Sequence, residues 1–396
     1  MIATLWGRLS VRAALLYLAM RAISGVLLWL AADDQVWFPG VTGPAENDID
    51  LALSWDAQWY QRIAEDGYPD ELPVGDDGRV QQNPWAFYPL FPLTARWVGS
   101  LTGLEFATVA PLLALLAGLG AAVLMAHLFV ETLPPGSEWA ALGAVAVWAA
   151  LPISPVLQMA YTESFSMLLL VGALLLLVRE RWWAAGLCAL VLGLTRPIAL
   201  PFTLVLLVAI WMRWRDRSDR PVAATERIAM GGALGLTLVS GGLWTAIAWA
   251  GTGQRDAYPE TMTAWRGEAS INVIEPWLRT IEWGWTYHDR AFVLPALGMV
   301  VPLVVSLVLL VPRVAPWIDL RLRVWSAAYA GYLLAVVDGH TSIFRYLIPL
   351  FPLALLLAGR RWNGWRTAYW VTAGVVGQVG WIWWLVVFTP PSDLPP

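Results

Sequence analysis

The amino-acid sequence predicts an all-α protein that crosses a membrane many times, with about eleven transmembrane helices in a single domain over residues 1–396. Its residues are 58% hydrophobic and only 14% charged, whereas a soluble domain carries about 25% charged residues. Several apolar runs reach the roughly 18 residues that make a segment a transmembrane candidate. These observations exclude an ordinary soluble enzyme, and the net charge of −4 gives no indication of a nucleic-acid partner.

Eleven hydrophobic runs are the candidate spans. Several are shorter than the ~20 residues that a perpendicular helix needs to cross the hydrocarbon core. We expect the short ones to tilt little or to stop where a cavity enters the membrane. The runs are residues 11–32, 106–130, 139–157, 164–178, 182–194, 198–212, 228–250, 291–311, 324–337, 346–358 and 367–388.

The arginines set the expected orientation. Arg8 and Arg12 lie at the start of the first run and place the N-terminus in the cytoplasm, because cytoplasmic flanks carry the excess of basic residues. The first run resembles a signal peptide but is longer than a usual one, so we expect an uncleaved helix. With alternating crossings, the arginine clusters within 179–181, 213–227, 312–323 and 359–366 all fall inside. We therefore predict a multi-pass protein of the cell membrane.

The same alternation places residues 33–105 and 251–290 outside as two large extracytoplasmic loops. In the first loop, apolar and aromatic residues recur at helical spacing, which predicts an interfacial helix that Asp48 or Asp50 caps and Gly67 ends. The residues on that face are Leu51, Trp55, Trp59, Ile63 and Ala64. A second interfacial helix is expected to begin in the run from Tyr88 to Leu93.

Five charged or titratable residues from distant parts of the chain fall at the outer face in this topology. They are Asp56, Glu163, Arg196, His340 and Arg345. The arginines among them lie on the side that the positive-inside rule disfavours, so they are candidates for binding an anionic group such as a lipid phosphate. The alternative is structural pairing with Glu163 or Asp338, or simple snorkelling at the membrane boundary.

Asp56 lies among aromatic side chains, since Trp55 precedes it and Trp59 and Tyr60 follow within one helical turn. A carboxylate that aromatic rings partly shield from water is a better general base, and flat rings also stack on sugars. The alternative is that Asp56 caps a helix or forms a structural salt bridge. Sequence chemistry alone leaves both interpretations open.

The motifs of the first loop resemble those of the second mannosyltransferase of glycosylphosphatidylinositol assembly, the PIG-V family. The resemblance covers about residues 50–205, and the residue composition of the chain suggests a bacterial homologue from a GC-rich genome. Arg196 matches an arginine of that family although its neighbours differ, and Tyr88 replaces a phenylalanine. The matching motifs are Trp55-Asp56, Ile63-Ala64, Gly67-Tyr68, the run from Ala86 to Pro92, Arg96, and Tyr161-Thr162-Glu163-Ser164-Phe165.

The resemblance implies a glycosyltransferase of the GT-C fold. It implies Asp56 as the catalytic base, a polyprenyl-phosphate sugar (typically mannose) as donor, and inversion at the anomeric carbon. The expected acceptor is a glycolipid at the outer membrane face. We expect no cofactor and no metal ligands, with a divalent cation as the alternative. The expected donor-binding residues are Arg196, His340, Arg345 and Glu163, and the expected stacking residues are Trp55, Trp59, Tyr60 and Tyr88.

Two other classes of function compete with this hypothesis. A lipid or glycolipid flippase, or another transporter, would carry charges in the middle of its helices and have short loops. A membrane scaffold would leave the Asp56 region without a pocket. The informative charges gather at one face and the outer loops are long, which favours the enzyme.

Overall fold

The chain folds entirely from helices in the part that the structure describes. This computed structural model describes residues 2–36, 51–267, 275–287, 293–337 and 341–387. Of the described residues, 75% are helical, in sixteen α-helices, several short 3₁₀ turns and one π-helical turn. Within those ranges the only extended pairing is an isolated bridge between Val74 and Val80. The predicted all-α class is confirmed.

The helices are numbered here in chain order. They are α1 (Ile2–Ala32), α2 (Asp56–Asp66), α3 (Leu90–Thr102), α4 (Phe106–Thr132), α5 (Glu138–Ala149), α6 (Glu163–Val178), α7 (Trp182–Leu192), α8 (Ala199–Arg215), α9 (Ala224–Thr252), α10 (Ala257–Arg266), α11 (Glu275–Tyr287), α12 (Val293–Val308), α13 (Leu320–Val336), α14 (Ile343–Tyr346), α15 (Leu353–Ala358) and α16 (Gly364–Trp381).

Three helices are long and apolar enough to cross a membrane by length and composition. They are α1 over Gly7–Ala32, α4, and α9. Four shorter apolar helices accompany them among the described residues, namely α5, α6, α7 and the Leu297–Val308 part of α12. The structure thus supports a transmembrane-like helical architecture, with fewer full-length spans than the eleven hydrophobic runs.

Proline explains why some hydrophobic runs give short helices. The run 139–157 forms α5 only as far as Ala149, and Pro152 and Pro155 follow in a turn that leads into a 3₁₀ segment. Proline has no N–H to donate and its ring clashes with the preceding turn. The run 346–358 is divided in the same way by Pro349 and Pro352.

The core is a bundle in which α4 packs against α1 and α6, while α9 packs against α7 and α8. Close approach of these helices depends on small residues. A Cβ at Gly186 of α7 would lie 2.7 Å from the Cα of Ala233 on α9, so a larger residue would push the two helices apart. Helix α13 also packs against α8.

The first large loop contains a helix, as predicted, but it is interrupted: Leu51 and Ala52 are helical, a turn follows at residues 53–55, and the main helix begins after that turn. The main helix is α2, and its N-cap is Trp55. Asp48 and Asp50, the expected caps, lie outside the described residues. The helix ends at Gly67 as predicted, because φ is +86° there and glycine adopts this conformation without strain.

A second, smaller hydrophobic cluster fixes the rest of this loop against α9 and α10. Trp244 of α9 donates its indole N–H to the carbonyl oxygen of Trp85 at 3.0 Å, and Trp85 donates to the carbonyl of Pro69 at 3.0 Å. Asn83 donates to the hydroxyl of Thr261 on α10 at 3.0 Å. The loop is therefore held in place by buried contacts, and it presents Asp56 on a rigid support.

Candidate functional site

The residue before Asp56 has an unusual backbone conformation. Trp55 has φ of +59°, which non-glycine residues adopt at a cost of about 1–3 kcal/mol. Neighbouring contacts hold it there: its indole N–H donates to the carbonyl of Val386 at 3.2 Å, and the hydroxyl of Tyr161 donates to the carbonyl of Ser54 at 3.0 Å. The strained turn places Asp56 as the first residue of α2.

Four charged side chains from four separate segments form one ion-pair network. Arg345 Nη2 lies 2.7 Å from Asp56 Oδ2, and Arg345 Nη1 lies 3.4 Å from Glu163 Oε1. The same Glu163 oxygen accepts a hydrogen bond from Arg196 Nη2 at 2.7 Å. We call Asp56, Arg345, Glu163 and Arg196 the ion-pair network. Its two acids and two arginines balance in charge.

The ion-pair network is buried, except at one end. The side chains of Glu163 and Arg345 are 2% and 3% exposed, and that of Arg196 is 12% exposed. Asp56 is the most accessible member, at 27%. Solvent and ligands therefore reach the network mainly from the side of Asp56.

Local structure supports these charges. Asp56 opens α2 and Glu163 opens α6, and a helix N-terminus stabilises negative charge. The guanidinium of Arg345 lies 4.9 Å from the ring centroid of Tyr161, and that of Arg196 lies 4.6 Å from the ring of Tyr346. Cation–π contacts of this kind favour the charged arginine.

The arginines remain protonated in this environment. Burial alone would lower the pKa of Arg345, but the charges of Asp56 and Glu163 outweigh burial and raise its pKa well above the usual value. For Arg196, burial again lowers the pKa, but Glu163 and the neighbouring tyrosines together raise it by more, so the pKa lies above the usual value. Burial raises the pKa of Tyr161, so its hydroxyl stays neutral and can donate. The site thus offers permanent positive charge.

Three buried polar atoms at the site have no hydrogen-bond partner within the described structure. They are Glu163 Oε2, Arg345 Nε and the hydroxyl of Thr162. Leaving such a group unpaired costs about 1–3 kcal/mol, and more for a charged group. Unpaired polar atoms are typical of sites whose geometry serves a ligand or a reaction rather than stability.

The aromatic residues predicted around Asp56 divide into two groups. Trp59 lies on the same helix as Asp56 and stacks on Phe87, with ring centroids 5.6 Å apart, and it meets Trp265 edge-on at 5.2 Å. Tyr60 is only 6% exposed and packs against Phe87 and Phe91. Trp59 is thus better placed than Tyr60 to contact a ligand.

Tyr88 is not part of this arrangement. Tyr88 belongs to the smaller cluster, where it packs on Trp244 and its hydroxyl lies 3.1 Å from that of Tyr258. His340 lies outside the described residues. Sequence reasoning did not select Tyr161 or Tyr346 as site residues. Tyr161 lies two residues before Glu163, and Tyr346 directly follows Arg345. These positions were the indication in the sequence that the two tyrosines belong to the site.

An open apolar groove of about 280 Å³ lies along the first turns of α3. Leu194, which lines it, is two residues before Arg196, and its carbonyl accepts a hydrogen bond from the backbone N–H of Leu90 at 3.0 Å. The groove is wide enough for part of a hydrocarbon chain. Its lining residues are Pro89, Leu90, Leu93, Thr94, Trp97 and Leu194.

Metal-ligating side chains do not gather in the part of the chain that the structure describes, since no group of three or more His, Cys, Asp or Glu residues is placed to hold an ion there. In comparisons with known proteins, no family model matches the chain and no curated protein matches it. The site's chemistry must therefore be argued from its geometry.

Proposed function

We propose that this protein is an inverting glycosyltransferase that moves a sugar, most simply mannose, from a polyprenyl-phosphate donor to a glycolipid acceptor. The observation that carries the proposal is the ion-pair network, in which the accessible carboxylate of Asp56 contacts the buried guanidinium of Arg345, and Glu163 joins Arg345 to Arg196. A base next to fixed positive charge is what transfer from a phosphate leaving group needs. The resemblance of the first loop to the PIG-V family supports the same assignment.

The proposed step has Asp56 as general base. The acceptor hydroxyl attacks the anomeric carbon, its proton passes to the Asp56 carboxylate, and the bond from the anomeric carbon to the phosphate oxygen breaks. The leaving polyprenyl phosphate carries one more negative charge than the donor phosphodiester. Arg345 and Arg196 attract it more strongly as that charge develops, so they stabilise the transition state more than the bound donor.

The groove and the wider architecture suit a lipid-linked donor. The proposed lipid chain lies along Leu90, Leu93 and Trp97, and Leu194, two residues before Arg196, lines the same groove. In the proposed topology the chain crosses the cell membrane eleven times, with the N-terminus in the cytoplasm and this site on the outer face. Trp59 and Trp265 are the residues that we propose for stacking on sugar.

The central test is Asp56→Asn in the purified protein, assayed with labelled polyprenyl-phosphate mannose and source membrane lipids. Removing a general base costs about 10²–10⁴-fold in rate, so we expect transfer to fall by at least about a hundredfold. Asp66→Asn is the matched control, since Asp66 is exposed at the other end of the same helix. Near-normal transfer by Asp56→Asn would refute the proposal.

The rival hypothesis of a lipid flippase makes a different prediction in the same preparation. A flippase would move labelled lipid between leaflets of proteoliposomes without forming a new glycosidic bond. The gathering of the ion-pair network at the ends of α2 and α6 favours the enzyme.

Assaying transfer with and without a metal chelator would also decide whether a divalent cation is needed.

A further inference from the structure

If Asp56 acts as a base, its carboxylate must accept a proton from the acceptor hydroxyl. In the structure, that carboxylate is paired with Arg345 instead. Its Oδ2 lies 2.7 Å from Arg345 Nη2, which is an ordinary charge-assisted hydrogen-bond distance. The guanidinium occupies this oxygen and holds the carboxylate in one orientation, so the acceptor hydroxyl cannot use Oδ2 while the contact lasts. The arrangement in the structure is therefore a resting one.

We propose that Arg345 is a switch that exchanges its carboxylate partner for the phosphate of a lipid-linked ligand, and that this exchange frees Asp56 to act as a base. The inference rests on the proposed function. In the resting state Arg345 restrains Asp56. When the anionic phosphate binds, it replaces Asp56 as the partner of Arg345 Nη2, and the Asp56 side chain rotates toward the acceptor hydroxyl. Base catalysis thus becomes available only when a donor is present.

The burial pattern identifies Asp56 as the partner that is displaced. Arg345 is 3% exposed and Asp56 is 27% exposed, so an anion that arrives from outside meets the guanidinium at the edge that Asp56 covers. Glu163 is 2% exposed and is also held by Arg196 at 2.7 Å, so it stays in place as the fixed counter-charge. The arginine can therefore change one partner while keeping the other.

Charge balance favours exchange over simple addition. The ion-pair network holds two negative and two positive charges. A phosphodiester that joined it without displacing anything would leave three anionic groups around two guanidiniums in a mostly buried place, where like charges repel strongly. Release of Asp56 to its more exposed side relieves this repulsion. Transfer of the acceptor proton to Asp56 then neutralises it while the phosphate gains its second charge.

The return step follows from the same contacts. When the polyprenyl phosphate leaves, Arg345 is free to pair with Asp56 again once Asp56 has released the proton that it received. The proton passes to solvent through the exposed side of Asp56. The tyrosine rings beside the guanidinium, Tyr161 at 4.9 Å and Tyr346 at 5.8 Å, keep Arg345 at the site throughout.

The experiment measures binding of undecaprenyl phosphate, undecaprenol and inorganic phosphate to the full chain in lipid nanodiscs. In Asp56→Asn the phosphate no longer competes with a carboxylate, so we expect undecaprenyl phosphate to bind about tenfold more tightly than to the unaltered protein. Undecaprenol should bind equally to both. Asp66→Asn, the control on the same helix, should bind all three ligands like the unaltered protein.

Unchanged or weaker binding of undecaprenyl phosphate by Asp56→Asn would overturn the exchange. Equal affinity for undecaprenyl phosphate and inorganic phosphate would overturn the lipid-linked ligand. Asp56→Ala repeats the comparison if the asparagine variant does not fold. Sugar transfer by the unaltered protein, assayed separately, distinguishes the partner exchange from the transferase activity. If the unaltered protein transfers sugar but Asp56→Asn does not bind undecaprenyl phosphate more tightly, only the exchange is rejected. If Asp56→Asn binds more tightly but the unaltered protein transfers no sugar, only the transferase activity is rejected.

Discussion

Glu163 is the residue on which the ion-pair network depends for its geometry. It accepts from Arg196 at 2.7 Å and faces Arg345 at 3.4 Å through the same oxygen, and all three side chains are largely buried. Buried ion pairs contribute little net stability compared with apolar packing, but removing one partner leaves an uncompensated charge. Glu163 thus supplies the negative charge that offsets the cost of burying Arg196 and Arg345 where a phosphate is expected.

Glu163→Gln tests this role. The substitution keeps the side-chain shape but leaves Arg196 and Arg345 without their shared counter-charge, so we expect a loss of about 3–5 kcal/mol in the free energy of unfolding. Thermal or denaturant unfolding in detergent measures it. Glu138→Gln is the matched control, because Glu138 also opens an apolar helix and is not part of the network. A loss equal to that of the control would contradict this account.

At the scale of elements, α5 ends inside the bundle and its last carbonyl groups are capped by side chains of other helices. Arg21 of α1 donates to the carbonyl oxygens of Ala149 and Ser154 and to the hydroxyl of Ser154 at 2.8 Å. Gln378 of α16 donates to the carbonyl of Ala150 at 3.1 Å. Because a proline-rich turn follows α5, these donors replace the missing backbone partners.

Arg21→Met tests the importance of this cap. It removes the charged donor from the carbonyl oxygens of Ala149 and Ser154 and leaves Ala149 with the hydroxyl of Ser154, so we expect the free energy of unfolding to fall by about 3 kcal/mol. The measurement is thermal unfolding of the purified protein in detergent. Arg227→Met is the control, since Arg227 lies exposed in the first turns of α9. A melting temperature that matches the control would show that the carbonyls find other donors.

The cap also connects an element to the site. The 3₁₀ segment Ser154–Gln158 that Arg21 holds leads directly to Tyr161 and Glu163. Tyr161 in turn donates to the carbonyl of Ser54, next to the strained Trp55. A chain of buried contacts thus runs from the first helix to the turn that presents Asp56.

At the scale of the whole molecule, the orientation of the chain in the membrane decides where the site faces. Single cysteines in a background with Cys188 replaced by alanine test it with a membrane-impermeant maleimide on intact cells. Asp76→Cys in the first loop should react, whereas Ser218→Cys should react only after permeabilisation. Both positions are exposed in the structure, so reactivity reports membrane side rather than burial.

The outcome of labelling has a direct bearing on function. From the arginine clusters, we expect the loop that contains Ser218 to lie in the cytoplasm. Labelling of Ser218→Cys in intact cells would reverse the orientation and would move the ion-pair network to the cytoplasmic face. Labelling of both positions at once would mean that an even number of crossings separates them, and the count of eleven would need revision.

Helical class and several helix boundaries follow from sequence patterns because they depend on local chemistry. The run 106–130 becomes α4 at Phe106–Thr132 almost as predicted, since a long apolar segment satisfies its backbone groups only within itself. The end of α2 could be predicted because glycine at position 67 adopts the positive φ that ends the helix. The short helices around Pro349 and Pro352 were harder to predict, because the hydrophobic pattern continues through prolines that interrupt the helix.

The sequence by itself determined that this is a helical, membrane-type protein with an aromatic and acidic first loop, because composition and periodicity act over a few residues. Only the tertiary structure decided that Asp56 meets Arg345, that Glu163 joins Arg345 to Arg196, and that Tyr88 packs elsewhere. The physical reason is that ion pairs form between residues far apart in the chain. Helix packing and burial, rather than local sequence pattern, decide which of the candidate charges come within reach of one another.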